Sequence, residues 1–230
     1  MFTEESFENV VIEYLKELNY DYIHGSNLTR DNKEVLLLEN LKTNLININK
    51  KIPESSIDYA IKKIQNFETN DVFTNNKLFH KYLTEGIEIT DFIDGKTVYN
   101  TVKLIDFDNI KNNEFLVVNQ LEIVEDDIKK IPDLIIYVNG IPLVCMELKS
   151  TSREEVSIED AYKQLMNYKE VHIPSLFYYN AFLVISDGVN TKVGTITAPF
   201  NRFMDWKKIN MEDEVIDTLG VDYKNLDTLH

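Results

Sequence analysis

Two apolar runs joined by Asn-Gly constrain this chain more than any other feature. Leu134-Ile-Ile-Tyr-Val138 and Leu143-Val-Cys-Met-Glu147-Leu148-Lys149 flank Asn139-Gly140-Ile141-Pro142. Asn-Gly between apolar runs is a strong short-range hairpin signal, because both residues accept the positive φ that a tight turn needs. Runs with little polar alternation belong at the centre of a sheet covered on both faces. Such a strand tolerates a charge only when it is paired or bound to metal, yet this hairpin carries Asp133, Glu147 and Lys149.

The elements around it alternate in kind. Amphipathic helices are expected at Thr3 to Leu18, with Phe7, Val10, Val11, Tyr14, Leu15 and Leu18 on one stripe, and at Asn32 to Ile48. Two more are expected at Ser55 to Phe67 and Asn75 to Leu83. Strands follow at 87–90, 97–105, 114–124, 133–138 and 143–149. A helix at Ile158 to Lys169, strands at 181–186 and 193–197, and a partly helical stretch from Arg202 complete the pattern. Helices, then strands, then helix–strand units predict an α/β chain around one central sheet.

Glu147 and Lys149 are two residues apart and share a strand face. Asp133 reaches that face only under one condition. A plain two-residue Asn139-Gly140 loop places Asp133 opposite Met146, on the wrong side. A three-residue loop, or a bulge, places it opposite Glu147, and one of these is expected. The set then suits phosphodiester cleavage, with Asp133 and Glu147 as hard oxygen ligands and the Leu148 carbonyl and waters completing a Mg2+ shell. Lys149 would orient or help deprotonate water, or stabilise developing charge. The bland alternative is a Glu147–Lys149 pair on a half-exposed strand, with Asp133 capping a turn.

These residues resemble a known family. Ile131-Pro-Asp133 through Glu147-Leu-Lys149-Ser is similar to the nuclease signature of the restriction (R) subunit of type I restriction–modification enzymes, within the PD-(D/E)xK superfamily. Phe2-Thr-Glu-Glu5, Val102-Lys-Leu-Ile-Asp-Phe107, Asn113-Glu-Phe-Leu-Val-Val-Asn-Gln120, Ala161-Tyr-Lys-Gln164-Leu-Met-Asn-Tyr168 and Gly194-Thr-Ile-Thr-Ala-Pro199 continue the likeness in order. The resemblance implies a restriction-endonuclease-like mixed central sheet flanked by helices, with additional N-terminal helices. It implies a type I site-specific deoxyribonuclease, with Asp133, Glu147 and Lys149 catalytic and Mg2+ (or Mn2+) held by Asp133, Glu147 and the Leu148 carbonyl. Gln164 and Tyr168 would support the site or contact DNA, unless they simply pack their helix on the sheet. Related nucleases carry a Glu on the first helix, which points to Glu8; the alternative is a solvated carboxylate like its neighbours Glu4, Glu5 and Glu13.

The implied partners are double-stranded DNA and the methyltransferase and specificity subunits. ATP would serve only the full-length enzyme, since no complete P-loop is present: Gly95-Lys96-Thr97 lacks the leading glycine, position 90 being Thr. Residues 1–200 would form the endonuclease domain, and 201–230 would lead toward an absent motor domain. A net charge of −15 argues against tight sequence-independent DNA binding by these residues alone. The basic stretch Lys42, Lys50, Lys51, Lys62 and Lys63 is a DNA-facing patch or a solvated surface. One cysteine, no signal peptide and no membrane-length apolar run suggest a soluble cytoplasmic protein. Two other readings are a non-catalytic docking or regulatory module of the restriction complex, and a stand-alone nuclease such as a Holliday-junction resolvase, usually shorter and more basic.

Overall fold

Helix α1, Glu4–Glu17, starts at Thr3, whose side chain accepts the Ser6 amide while Glu4 and Glu5 face the positive end of the dipole. The computed structural model describes residues 3–93, 96–149 and 157–206. The buried line of α1 runs through Phe7, Glu8 and Ile12. It is narrower than the periodicity predicts, since Tyr14 and Leu18 are 63% and 68% exposed. Positions 8 and 12 lie one turn apart at the centre of the contact, which leaves 10, 14 and 18 on its flank.

Strand β1, Asp21–His24, has only four residues, too few to show a period. Helix α2 is Leu38–Ile48, not the longer helix expected from Asn32. Val35, Leu36 and Leu37 are all buried, and no helix can bury three consecutive residues on one face. Instead Leu37 N–H donates to the Gly140 carbonyl at 2.9 Å, while Arg30 donates to the Glu34 and Glu122 carbonyls. Helix α3, Glu54–Gln65, buries Ile57, Ala60, Ile61 and Ile64 as expected. Helix α4, Val72–Glu85, is capped by Asp71 and ends at Gly86. A ribbon of β2, Ile87–Ile93, and β3, Lys96–Val102, follows.

The expected strand at 114–124 is broken in two. Strand β4 is Phe115–Asn119, and Gln120 then takes φ 51°, which ends it. Strands β5, Ile123–Glu125, and β6, Ile128–Lys130, form a separate ribbon. Strands β7, Leu134–Val138, and β8, Ile141–Leu148, make the apolar hairpin. Helix α5, Ile158–Asn167, runs into a π-turn at Tyr168–His172 and then α6, Pro174–Phe177. Strand β9 is Phe182–Ser186, and β10 is Thr191–Gly194, two residues earlier than expected. The expected helical stretch from Arg202 is instead the end of a 3-10 turn, Phe200–Arg202, and an edge strand β11, Met204–Asp205. The rest of that stretch and of the 201–230 segment lies outside the described residues, as do Phe2, Gly95 and Ser150.

The architecture is the expected mixed α/β class. Seven strands run in the order β1-β4-β7-β8-β9-β10-β11, with β1–β4 and β8–β9 parallel and the other neighbours antiparallel. Helices flank it: α1 packs on β1, β4 and β8, and α5 on β8 and β9. The most buried strands, β7 and β8, sit at its middle, as continuous apolar runs require.

Asn139 and Gly140 form a two-residue turn at φ 52° and 79°, so the longer loop does not occur. The bulge does: Tyr137 faces Pro142 but Ile136 faces Val144, which makes Leu143 the extra residue. Its carbonyl is taken by the Ala181 amide at 2.7 Å. The one-residue shift sets Leu134 opposite Met146, and hence Asp133 opposite Glu147. The turn is itself pinned: Asn139 is wholly buried, bonding the Leu104 carbonyl, Asn113 and the Glu114 amide. A β-carbon at Gly140 would meet the Leu37 carbonyl at 2.6 Å. Gly140→Ala is therefore expected to cost roughly 2–3 kcal/mol through the positive φ and the clash, read as a lower urea midpoint at unchanged m-value.

Candidate active site

Three elements converge where β7 begins and β8 ends. Asp133 immediately precedes β7, and its Oδ2 accepts the Leu148 amide at 2.7 Å. Glu147 is 0% exposed. Its Oε1 takes the Lys149 Nζ at 2.6 Å, with the lysine side chain 12% exposed. Its Oε2 is buried without a hydrogen-bond partner. The pair is thus not on a half-exposed face, and Asp133 binds the neighbouring strand instead of capping a turn. In extended chain a residue's N–H and C=O project to the same edge, so the Leu148 carbonyl faces the side on which Asp133 lies.

Burial pushes the Glu147 carboxyl well up, and the nearby Asp133 charge adds to it. Burial also raises Asp133, against the lowering effects of the Leu148 amide and Lys149. For Lys149 burial works against the charge, but Glu147 outweighs it through charge and hydrogen bond, and the net shift is upward. The two upward shifts compete, because a protonated Glu147 would not hold Lys149 up. The direction that stands is a protonated lysine beside two carboxyls that together carry one negative charge too many for a buried site. A proton or a cation relieves that excess.

Glu8 enters from α1. It is 7% exposed, and its oxygens accept the Gln120 side-chain amide at 3.2 and 3.1 Å. Burial raises its carboxyl, the Gln120 bond opposes this, and the Asp133 charge adds to the rise. It is therefore no solvated carboxylate. Among the described residues no three Asp, Glu, His or Cys groups stand as a ready-made metal cluster. On the other side, Gln164 Nε2 donates to the Tyr168 hydroxyl at 2.7 Å. Tyr168 is buried, its phenol raised by burial first and by the Glu147 and Asp133 charges after it. The two pair with each other, and Tyr168 sits within electrostatic reach of the carboxyls.

Sequence reasoning did not single out Asn119, Gln120 or Tyr22, whose hydroxyl donates to Asn119 at 3.0 Å. The available signal was two amides closing an apolar strand. Within the basic stretch, Lys42 is bound by Glu54 and Asp58 at 2.8 Å each, and Lys63 lies over the Tyr82 ring, a contact that leaves its charge in place.

Residues 1–202 match the family described as type I restriction enzyme R protein N terminus. The chain belongs to that family. It is 34% identical over 223 residues to a type I restriction enzyme HindI endonuclease subunit of Haemophilus influenzae, covering 93% of this chain and 21% of that protein. It is 36% identical over 217 residues to a putative MjaIXP endonuclease subunit of Methanocaldococcus jannaschii, covering 90% and 21%. A Staphylococcus aureus endonuclease subunit is 28% identical over 209 residues, covering 83% and 19%. This R-subunit region therefore spans about a fifth of the length of its curated relatives. No described helix is long and apolar enough to cross a membrane.

The donor set of the R-subunit region fits a hard divalent cation. Asp133, Glu147 and a main-chain carbonyl supply oxygen only, and the orphaned Glu147 Oε2 is a buried acceptor with nothing to accept from.

Raised carboxyls have a stability consequence. The folded chain binds a proton at Asp133 and Glu147 more tightly than the unfolded chain does. Without metal, that contribution is full below the ordinary carboxylate range and is lost as pH rises through it toward the raised values. Glu147→Gln removes one of these buried charges. In EDTA the gap in unfolding free energy between this variant and the wild type is expected to shift in the variant's favour as pH rises from 4 to 8, because only the wild type loses that proton. A gap independent of pH would contradict the assignment.

Proposed function

We propose that this region is the metal-dependent endonuclease domain of a type I restriction R subunit, hydrolysing phosphodiester bonds of double-stranded DNA. The observation that carries the reading is the Asp133–Glu147–Lys149 set at the centre of the sheet, Glu147 buried with one carboxylate oxygen unpartnered and its two companions half-buried. Membership of a family whose relatives are named endonuclease subunits supports it.

Asp133, Glu147 and the Leu148 carbonyl would hold Mg2+ or Mn2+, with Glu8 acting on it through an intervening water. The bound cation supplies charge neutralisation at the scissile phosphate and a more acidic water. Lys149 is paired with Glu147 at 2.6 Å. It fixes the Glu147 carboxylate and presents positive charge to the phosphate as negative charge develops. The Leu148 amide fixes Asp133 in turn. Tyr168 accepts from Gln164, which leaves its own O–H free to donate toward a phosphate oxygen or a water. Recognition and ATP-driven translocation belong to the methyltransferase and specificity subunits and to motor domains outside these residues. In that setting a domain of net charge −15 need not grip the duplex itself.

Calorimetric titration with Mn2+ tests the reading. The wild type is expected to bind one ion and to release protons, seen as a buffer-dependent enthalpy. Asp133→Ala and Glu147→Ala are expected to abolish binding while remaining folded. A folded wild type that binds no Mn2+, with or without a short duplex, would favour the docking-module reading instead.

A further inference from the structure

Glu8 reaches the centre from the N-terminal helix, 112 residues from the side chain that holds it. Apolar packing through Phe7 and Ile12 already fastens α1 to the sheet. The amides around Glu8 are therefore more than docking requires.

Gln120 has an unusual place among them. Its backbone lies in the left-handed region, at φ 51°, which a β-carbon disfavours. That turn ends β4. Gln120 N–H donates to the Asp133 carbonyl at 3.2 Å, while its side-chain amide is shared by both Glu8 oxygens. Asn119 Nδ2 stands 3.5 Å from Glu8 Oε2, and its Oδ1 is held by the Tyr22 hydroxyl. The main chain here is tightly set, since a β-carbon on Gly25 would meet the Gln120 carbonyl at 2.6 Å.

We infer that Gln120 is a positioning residue of the metal site: it joins the Glu8 carboxylate to the main chain of Asp133, so that both acids are placed by one backbone turn. Asn119, itself held by Tyr22, adds a second amide to Glu8. The type of residue matters. A lysine or arginine at 120 would hold Glu8 equally well but cancel its charge. A neutral amide orients the carboxylate and leaves it negative, with lone pairs free for water or a cation. The inference rests on the metal-site reading above, and the test separates the two.

Mn2+ affinity and metal-free urea midpoints are measured on the 230-residue chain for wild type, Gln120→Gly, Gln120→Ala, Glu8→Gln and the double variant Gln120→Ala with Glu8→Gln. Glycine accepts the positive φ, so Gln120→Gly is expected to keep or raise the midpoint while weakening Mn2+ binding about tenfold, the scale seen when a partner that orients a metal site is lost. Gln120→Ala should weaken binding similarly. The double variant should bind no more weakly than Glu8→Gln alone, because Gln120 acts through Glu8. Full affinity in Gln120→Gly, or additive losses in the double variant, overturns the positioning role and leaves the metal site standing. A folded wild type that binds no Mn2+ overturns the metal-site reading and this inference together.

Discussion

A single extra residue in β8 decides what this sheet can do. Leu143 is unpaired in the ladder, and its insertion moves every pairing beyond it by one place. Side chains alternate between faces with a period of two, so a one-place shift exchanges the faces completely. Asp133 faces Glu147 because of Leu143, and not because of any attraction between two acids that repel. The fixed Asn139–Gly140 turn makes this possible, since a slipping turn could absorb the shift. Its pinning by Leu104, Asn113, Glu114 and Leu37 removes that freedom.

With the register set, electrostatics follows. Two carboxyls and one ammonium are enclosed where water would otherwise dissipate their fields, and the sum is one negative charge. Surrounding groups moderate the cost without cancelling it: an amide on Asp133, a lysine on Glu147, and side-chain amides on Glu8. All but one of these donors are neutral.

Much of this is legible in the amino-acid sequence itself. The hairpin, its central place and the need for either a bulge or a longer loop follow from the apolar runs, the Asn-Gly pair and the parity of the spacing. Helix α3 follows from Ile57, Ala60, Ile61 and Ile64. Where the fold departs from the sequence pattern, the departures share a cause. Residues 32–37 carry apolar side chains in helical composition, but tertiary bonds to Gly140 and Arg30 hold them in an irregular path. β1 is too short to display a period, and its strand state depends on pairing with β4. The break at Gln120 is invisible because glutamine carries no expectation of positive φ. The amide clamp on Glu8 is hidden for the same reason: its parts are ordinary residues made unusual only by where the fold puts them.

The place of α1 has a consequence for how such a protein comes into being. An N-terminal helix that supplies an acid to a centre built mainly from the middle of the chain emerges from the ribosome long before its partners. Closing a longer loop adds only slowly to the entropic cost, so the separation adds little to equilibrium stability. Its effect is on order in time. Until β4, β7 and β8 have been synthesised and paired, Glu8 has neither Gln120 nor Asp133 to meet. The complete constellation therefore cannot form before β4, β7 and β8 are present and paired.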